Sequence, residues 1–337
     1  MKILPEINEL DDSLRLAISG KLDDAESILK KLDINDPRVS FNMGWHKMRH
    51  GNLYEAFCLL DKGRLINIFG GTVPPPFTKR YENEDLKNKT LLFINEGGHG
   101  DEIINVRFIK NFHDMGAKII LASGIELYPL FKNIPYISAM VDREYCRTTY
   151  HDYWVPAMSA AMHLKLEYKD LSGKPYLNYF SPREFPNKEN YLKVGLKWSG
   201  NPKFEHQQHR KFPVEHMLGL TDVKNCKFYS LQRDEDLLQK QNSIIDLKYE
   251  MKTWKDTAEI IMSMDLIITS CTSIAHLSGA MGKPTWVIVP ALSYYMWAQP
   301  GENSKWYDSV KLYRQTHYGE WKDVFEKIKF DLKNFKK

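Results

Sequence analysis

The chain has 337 residues, of which 43% are hydrophobic and 27% are charged, fractions typical of a folded protein and not of a disordered or fibrous one. Its formal net charge is +4, which lacks the strong basic excess of proteins that bind nucleic acid mainly through phosphates. At roughly 150 residues per domain, this length predicts two or three domains.

The cysteine pattern and the apolar runs indicate the compartment. The four cysteines lie far apart and form no CxxC pair, which argues against a zinc finger or a disulfide scaffold. The N-terminus lacks the apolar stretch of a signal peptide, and no apolar run is long enough to span a membrane. We expect a soluble, cytoplasmic protein without a membrane span.

Residues 1–72 are predicted to be helical. Three residues recur 31 positions apart: Gly20, Ala25 and Leu29 are followed by Gly51, Ala56 and Leu60. A small residue at a helix crossing, followed by Ala and Leu on the next helix, is typical of packed helical hairpins, and the pattern resembles tetratricopeptide repeats. Such repeats would offer a surface to a protein partner. The alternative is an ordinary helical bundle with its glycines in turns.

A proline-rich segment separates these helices from a region in which short strands and helices alternate. Residues 70–76 include three consecutive prolines and cannot continue a helix, so we interpret them as a linker. Short apolar strands are then predicted at residues 91–95, 118–122, 139–141, 153–155, 193–198, 227–231, 266–269 and 284–289. Helices are predicted at residues 103–115, 127–132, 257–264 and 273–281.

Alternating strands and helices predict parallel sheets that are covered on both faces. The series divides near residues 182–190, so we expect two Rossmann-like domains facing a cleft. The predicted domains are a helical one (1–72), an N-terminal α/β one (73–185) and a C-terminal α/β one (186–337). Ligands of such folds bind at the carboxyl ends of the strands.

The first candidate site is the turn at residues 95–102, between a predicted strand and a helix. It contains Gly97, Gly98, His99 and Gly100, which allow a tight turn and a close approach of ligand to backbone. Asp101 follows at the start of the helix. It is either a general base at the cleft or a helix cap.

The second candidate site is the turn at residues 269–276. Thr272 and Ser273 place hydroxyls at a helix N-terminus, where they can contact phosphate oxygens beside the backbone N–H groups. His276 lies one turn further along, as a ligand contact or as a structural histidine. Cys271 suggests a nucleophile, but the sequence offers no matched base for it.

The third candidate site is the loop after residue 198. Ser199, Asn201, Arg210 and Lys211 suit the binding of an anion. The histidines at 206 and 209 suggest a metal, but their spacing does not support one, and residues 234–236 fit a helix cap better than a metal–nucleotide site. Six aromatic residues mark the C-terminal region, as core or as stacking surfaces: Trp286, Tyr294, Tyr295, Trp297, Trp306 and Tyr307.

Three blocks of sequence together resemble a known family. Residues 96–101, 194–202 and 272–284, with 304–307 and 312–315, are similar to glycosyltransferases that follow tetratricopeptide repeats and are related to lipopolysaccharide heptosyltransferases. The resemblance implies a GT-B fold with an acceptor-side domain, a nucleotide-sugar domain and a cleft between them. It also implies hexosyl or heptosyl transfer from a nucleotide-diphosphate sugar, with inversion and without a metal or other cofactor.

The resemblance assigns roles to the candidate residues. Asp101 would be the base, and Arg210 or Lys211 would contact the diphosphate. Ser199, Asn201, Thr272, Ser273 and His276 would line the donor site.

The chain departs from the family pattern in two places. Relatives usually have Asp where Cys271 stands, so a carboxylate that would meet the donor is missing. They also have Gln and Leu at the positions of Gly97 and His99. The acceptor stays open between a glycan, a protein and DNA. The alternatives are a non-catalytic binding module, a nucleotide-sugar 2-epimerase and a DNA-modifying glycosyltransferase.

Overall fold

The first helices pack as two consecutive pairs. A computed structural model describes residues 7–68, 75, 77–185, 191–202, 207–233 and 243–336. Helices α1 (Asn8–Ile18) and α2 (Leu22–Leu29) form one pair, and α3 (Pro37–Arg49) and α4 (Leu53–Asp61) form the next. We call these four helices and the short 3-10 helix after them (Lys62–Ile66) the helical unit. Its assignment to tetratricopeptide repeats stays a prediction.

The recurring glycines have a different role from the predicted one. Gly20 and Gly51 lie in the turns within the two pairs, at φ of +89° and +90°, and not at helix crossings. They recur because both turns need the left-handed backbone conformation that glycine adopts without strain. The close crossing is at Gly44, where an added Cβ would lie 2.9 Å from the Ala56 carbonyl oxygen.

The first α/β half is built on a five-stranded sheet. All its pairings are parallel, in the order β1-β5-β2-β3-β4. Its elements are β1 (Lys79–Arg80), β2 (Thr90–Ile94), α5 (His99–Asn105), α6 (Ile109–Asp114), β3 (Lys118–Ser123), α7 (Tyr128–Phe131), β4 (Ile137–Asp142), β5 (Tyr153–Pro156) and α8 (Ala160–His163). The helix predicted at residues 103–115 begins earlier, at His99, and is interrupted by a 3-10 turn at Val106–Phe108.

The second half is built on a six-stranded parallel sheet in the order β11-β10-β9-β6-β7-β8. Its elements are β6 (Leu192–Lys197), α9 (Gln207–Arg210), α10 (Val214–Leu218), β7 (Cys226–Ser230), β8 (Ile244–Asp246), α11 (Trp254–Ser263), β9 (Leu266–Ser270), α12 (Ser273–Ala280), β10 (Thr285–Val289), β11 (Val310–Arg314) and α13 (Lys322–Asn334). Every residue of β9 and β10 is buried, which explains their continuous apolar runs.

The predicted α/β fold with two parallel sheets is confirmed. The boundaries near residues 72 and 186 stay predictions, because they fall on or beside residues outside the described ranges. The same holds for most of the predicted linker and for His206 and residues 234–236. Within the described ranges, no helix has both the length and the apolar character needed to cross a membrane.

A buried ion pair ties the helical unit to the first half. The Arg64 guanidinium donates two hydrogen bonds to the Glu96 carboxylate, at 2.5 and 2.7 Å, and a third to Asp61 at 2.8 Å. The Glu96 side chain is fully buried, and it also accepts a hydrogen bond from the Met158 N–H. Because Glu96 follows β2 directly, this pair fixes the helical unit against the turn that carries Asp101.

We predict that Arg64→Met lowers the free energy of unfolding by about 3 kcal/mol, since it leaves the Glu96 carboxylate buried and unpaired. Adding Glu96→Gln to that variant should restore part of the loss. Urea unfolding followed by circular dichroism measures both effects. The control is Arg15→Met, because Arg15 pairs with Asp12 at an exposed position of α1. Equal urea midpoints for Arg64→Met and Arg15→Met would contradict the assignment.

Candidate active site

A cleft of about 1350 Å³ lies at the carboxyl ends of the strands of both sheets. Its walls come from the helical unit, from the turn after β2 and from the turn after β9. The volume exceeds what one small ligand usually fills, so the cleft has room for two substrates. All four residues of the predicted acceptor-side loop, Gly97, Gly98, His99 and Gly100, line it.

The turn after β2 is shaped around the Asp101 carboxylate. Asp101 Oδ2 accepts a hydrogen bond from the Gly98 N–H at 2.9 Å. Gly97 has a φ of +71°, and a Cβ at this position would lie 2.7 Å from Asp101 Oδ2. Glycine is therefore required at 97, both for the left-handed backbone and for the space that the folded-back carboxylate takes.

Asp101 caps its helix and lines the cleft at the same time, so the two interpretations of this residue do not exclude each other. Its second oxygen, Oδ1, accepts a hydrogen bond from the Tyr294 hydroxyl of the other half. Burial raises the pKa of the Asp101 carboxyl, and the hydrogen bonds from Tyr294 and Gly98 act against this rise. A carboxylate with a raised pKa is a stronger base than an exposed aspartate.

Helix α12 begins at the opposite wall of the cleft. Thr272 is its N-cap residue, but within the described part of the chain the Thr272 side chain makes no capping hydrogen bond and lies 3.2 Å from Thr269 Oγ1. Thr253, by contrast, caps α11 through its hydroxyl. Thr272 and Ser273 line the cleft, so the first turn of α12 presents backbone N–H groups to a ligand.

The N-termini of α5 and α12 touch at a glycine. A Cβ on Gly100 would lie 3.0 Å from His276 Cδ2 and 3.5 Å from the Ser273 Cα. This close approach brings the Asp101 turn and the Thr272 turn to one place, although 171 positions separate them in the sequence. His99 adds a second contact between the halves, with its ring 5.2 Å from that of Trp254.

Arg210 is the predicted cation that reaches the cleft. Its Nη1 donates to the Cys271 carbonyl oxygen, and its Nε donates to Gln207 Oε1 at 2.7 Å. Gly200 makes room for it, because a Cβ there would lie 2.5 Å from Arg210 Nη2. Lys211, the other predicted candidate, is exposed and is not among the residues that line the cleft.

The two polar residues predicted on the same loop, Ser199 and Asn201, have different surroundings. Asn201 lines the cleft and is exposed. Ser199 is buried beside the cleft, where its N–H donates to Gln232 Oε1 at 3.1 Å and its hydroxyl accepts from Gln207 Nε2 at 3.3 Å. Ser199 is therefore not among the residues that line the cleft, and its predicted contact with the donor stays a prediction.

His276 is a buried, neutral residue of the cleft wall. Its ring stacks on Trp297 at 5.1 Å, and its Nδ1 lies 3.1 Å from the Tyr307 hydroxyl. Burial lowers the pKa of His276 to about 3, with Arg107 acting in the same direction. His276 can therefore offer a hydrogen bond to a ligand but no positive charge near neutral pH.

The Cys271 side chain is buried in the wall of the cleft. Its thiol donates to the Ile288 carbonyl oxygen at 3.4 Å, and burial raises the pKa of the Cys271 thiol to about 12. A thiol with this pKa stays protonated near neutral pH and is unreactive. Among the described residues, no group of three His, Cys, Asp or Glu side chains has the arrangement of a metal site.

Sequence reasoning missed several residues of the cleft. Lys197, the last residue of β6, is buried in the cleft wall with its Nζ 3.4 Å from Gln232 Oε1. A lysine closing an apolar strand was the available signal. Tyr294 is one of six aromatic residues in the C-terminal region, and the sequence does not distinguish it from the others. Trp45 lies in the helical segment, which is predicted to contact a protein partner and not the cleft.

Known proteins provide three comparisons. No family model matches the chain. It is 24% identical over 298 residues to protein FlbA of Caulobacter vibrioides, covering 76% of this chain and 48% of FlbA, so it spans about half the length of this curated relative. It superposes on a glycosyl transferase family 9 structure from Veillonella parvula with a TM-score of 0.51 and 11% identity, over 76% of this chain and 92% of that one.

The ADP-heptose lipopolysaccharide heptosyltransferase II of E. coli aligns with a TM-score of 0.49 and 10% identity, over 73% of this chain and 98% of that one. At these identities a structural match shows the fold alone. The family 9 glycosyl transferase of Veillonella parvula and this chain therefore share a two-sheet α/β fold. The resemblance stated from the sequence is confirmed at the level of the fold.

We predict that ADP, GDP or UDP binds in this cleft, and that Arg210→Met and Lys197→Met each weaken that binding by ten- to a hundredfold. A hydrogen bond from a charged group to a buried anion stabilises binding by about 1.5–3 kcal/mol. Isothermal titration with ADP, GDP and UDP measures the change. Lys211→Met is the matched control and should bind as the unaltered protein does. A loss in Lys211→Met without one in Arg210→Met would contradict the placement.

We also predict that the protein loses stability as the pH falls from 6.5 towards 4. The pKa values of His46 and His163 are lowered to about 4 and that of His276 to about 3, in each case chiefly by burial. The unfolded chain therefore binds protons in this window that the folded chain does not, and each proton adds a slope of about 1.4 kcal/mol per pH unit.

Urea unfolding at several pH values measures this slope. His276→Gln should reduce the slope by the contribution of one proton, about 1.4 kcal/mol per pH unit. An unchanged slope in that variant would show that His276 is not held neutral by burial.

Proposed function

We propose that the chain is a glycosyltransferase that moves a sugar from a nucleotide-diphosphate sugar to an acceptor hydroxyl, with inversion and without a metal ion. One observation carries the proposal. A half-buried carboxylate with a raised pKa, that of Asp101, lies in the same cleft as the N-terminus of α12 and the Arg210 guanidinium. The shared fold with a family 9 glycosyl transferase supports it.

Asp101 would act as the base. The acceptor oxygen attacks the anomeric carbon, its O–H bond breaks, and the proton passes to an Asp101 carboxylate oxygen. The bond between the anomeric carbon and the diphosphate oxygen breaks at the same time, and its electron pair leaves with the diphosphate. Inversion at the anomeric carbon follows because the acceptor oxygen attacks the face of the sugar opposite the leaving group.

The leaving group gains negative charge, which the other wall of the cleft can stabilise. The N–H groups at the start of α12 and the hydroxyls of Thr272 and Ser273 can donate to phosphate oxygens. Arg210 and Lys197 supply the positive charge that a metal ion supplies in other phosphate sites. Asn201 and His276 can add neutral hydrogen bonds along the donor.

Cys271 fits this arrangement as a neutral residue. The related transferases usually have Asp at this position, and a carboxylate there would compete with the diphosphate for the Arg210 guanidinium. The Cys271 thiol stays protonated and has no such effect. The substitution is therefore compatible with donor binding, and a different donor from that of the relatives is the expected consequence.

We predict that Asp101→Asn lowers the rate of transfer by 10²- to 10⁴-fold, the usual contribution of a general base. Donor binding should change by no more than a few-fold, because the amide oxygen of Asn can still accept from the Gly98 N–H. A panel of ADP-, GDP- and UDP-sugars, followed by thermal shift and by donor hydrolysis, identifies the donor first.

The control is Asp114→Asn, since Asp114 lies exposed on α6 in a pair with Lys110. Full activity of Asp101→Asn would contradict the role of the base. If no nucleotide sugar of the panel raises the melting temperature of the protein, the non-catalytic alternative is favoured. Release of an epimerised free sugar would favour the epimerase.

A further inference from the structure

The aromatic face of α3 forms a wall of the cleft. We infer that Phe41 and Trp45 are a sugar-binding surface for the acceptor, so the helical unit determines acceptor specificity and the acceptor is a saccharide. This inference rests on the proposed function, because it takes the side of the cleft next to Asp101 as the acceptor side. We call Phe41 and Trp45, which line the cleft next to Ile68, the aromatic wall.

The aromatic wall is continuous with the base. Phe41 and Trp45 lie one helical turn apart, with ring centroids 6.4 Å from each other. The Trp45 ring meets that of Tyr294 edge-on at 6.4 Å, and the Tyr294 hydroxyl donates to Asp101 Oδ1. A group that rests on Trp45 therefore lies two side chains away from the atom that receives the acceptor proton.

The aromatic wall is held in place from behind. Gly63 lies under Phe41, where a Cβ would come within 2.8 Å of Phe41 Cδ2. The next residue, Arg64, is bound to Glu96 through two hydrogen bonds. Further along, the Leu53 N–H at the start of α4 donates to Glu167 at 3.0 Å. The helical unit is thus part of the cleft and not a separate module beside it.

The chemistry of the wall fits a sugar. A pyranose has apolar C–H faces, whose hydrogens are attracted by the negative faces of aromatic rings, and an edge of hydroxyl donors that suits carboxylates. Trp45 is half-buried and offers part of its ring, and its buried Nε1–H finds no hydrogen-bond acceptor among the described residues. Asp101 and Glu144 line the same cleft and can accept from hydroxyls.

A nucleic-acid strand fits this wall less well. Its phosphates need cations close to the aromatic rings, and Arg64, the cation of the helical unit next to Gly63, is already paired with Glu96 and Asp61. The net charge of +4 provides no general attraction for a polyanion either. These observations favour a glycan over a nucleic acid as the acceptor.

Fluorine NMR on protein labelled with 5-fluorotryptophan tests the inference. The chain has eight tryptophans, and Trp45→Phe, Trp254→Phe and Trp321→Phe assign three resonances. The probes are ADP, GDP and UDP, followed by methyl glycosides of common hexoses and heptoses in the presence of the nucleotide that binds. Trp321 is the internal reference, because it is buried in the core of the second half, away from the cleft.

We expect at least one methyl glycoside to shift the Trp45 resonance in a saturable way and to leave Trp321 unmoved. Phe41→Leu and Trp45→Ala should each raise the dissociation constant of that glycoside at least fivefold and change that of the nucleotide less than twofold. Phe330→Leu is the matched control, since Phe330 is exposed on α13 and does not line the cleft. If Trp45→Ala fails to fold, Phe41→Leu decides.

Two results would overturn the inference. The first is that a nucleotide binds, but no glycoside shifts the Trp45 resonance, or neither substitution changes the dissociation constant of the glycoside. This result would refute the sugar-binding wall and leave the proposed transferase standing. A chain in which neither nucleotides nor glycosides bind would refute both.

Discussion

The contact between the N-termini of α5 and α12 is the constraint on which the rest of the cleft depends. At Gly100 the two helices approach so closely that a Cβ would lie 3.0 Å from the His276 ring. A side chain at residue 100 would crowd the His276 ring, which would have to shift by a few tenths of an ångström to admit even a methyl group. Because Gly100 has no side chain, the two turns can pack closely, and the Asp101 carboxylate and the N-terminus of α12 line one cleft.

The same contact explains why several buried groups have unusual protonation. His276 is enclosed by Gly100, Trp297 and Tyr307, and burial keeps it neutral. The Asp101 carboxylate accepts a hydrogen bond from the Tyr294 hydroxyl, and burial raises the pKa of this carboxyl. Each of these groups gives up hydration that only a well-packed site can replace, and perturbed groups of this kind cluster at functional sites.

Much of the fold was predictable because the central strands are buried on both faces. Residues 266–268 and 286–289 are apolar without interruption, and the strands predicted around them, at 266–269 and 284–289, are present in the structure. The strands that sequence reasoning missed, β1, β8 and β11, are all edge strands of their sheets. An edge strand is less buried and carries charged residues such as Lys311 in β11, so it lacks the apolar run that marks a strand.

The candidate site was predictable in part for a related physical reason. Local sequence reveals a turn between a strand and a helix, and it thereby found Asp101 and Thr272. It does not reveal which distant side chain meets that turn, so Tyr294, Lys197 and Trp45 were not assigned to the site. Lys211 and Ser199 are predicted donor contacts, but Lys211 is exposed, Ser199 is buried beside the cleft, and neither is among the residues that line it.

The central claim is that the cleft holds a nucleoside diphosphate against the start of α12. A crystal structure of the chain with the nucleoside diphosphate that binds most tightly tests it most directly. We expect phosphate oxygens within hydrogen-bond distance of the Ser273 and Ile274 N–H groups, with Arg210 beside them and the Asp101 carboxylate across the cleft. A diphosphate bound elsewhere on the chain, with the start of α12 left to water, would contradict the account.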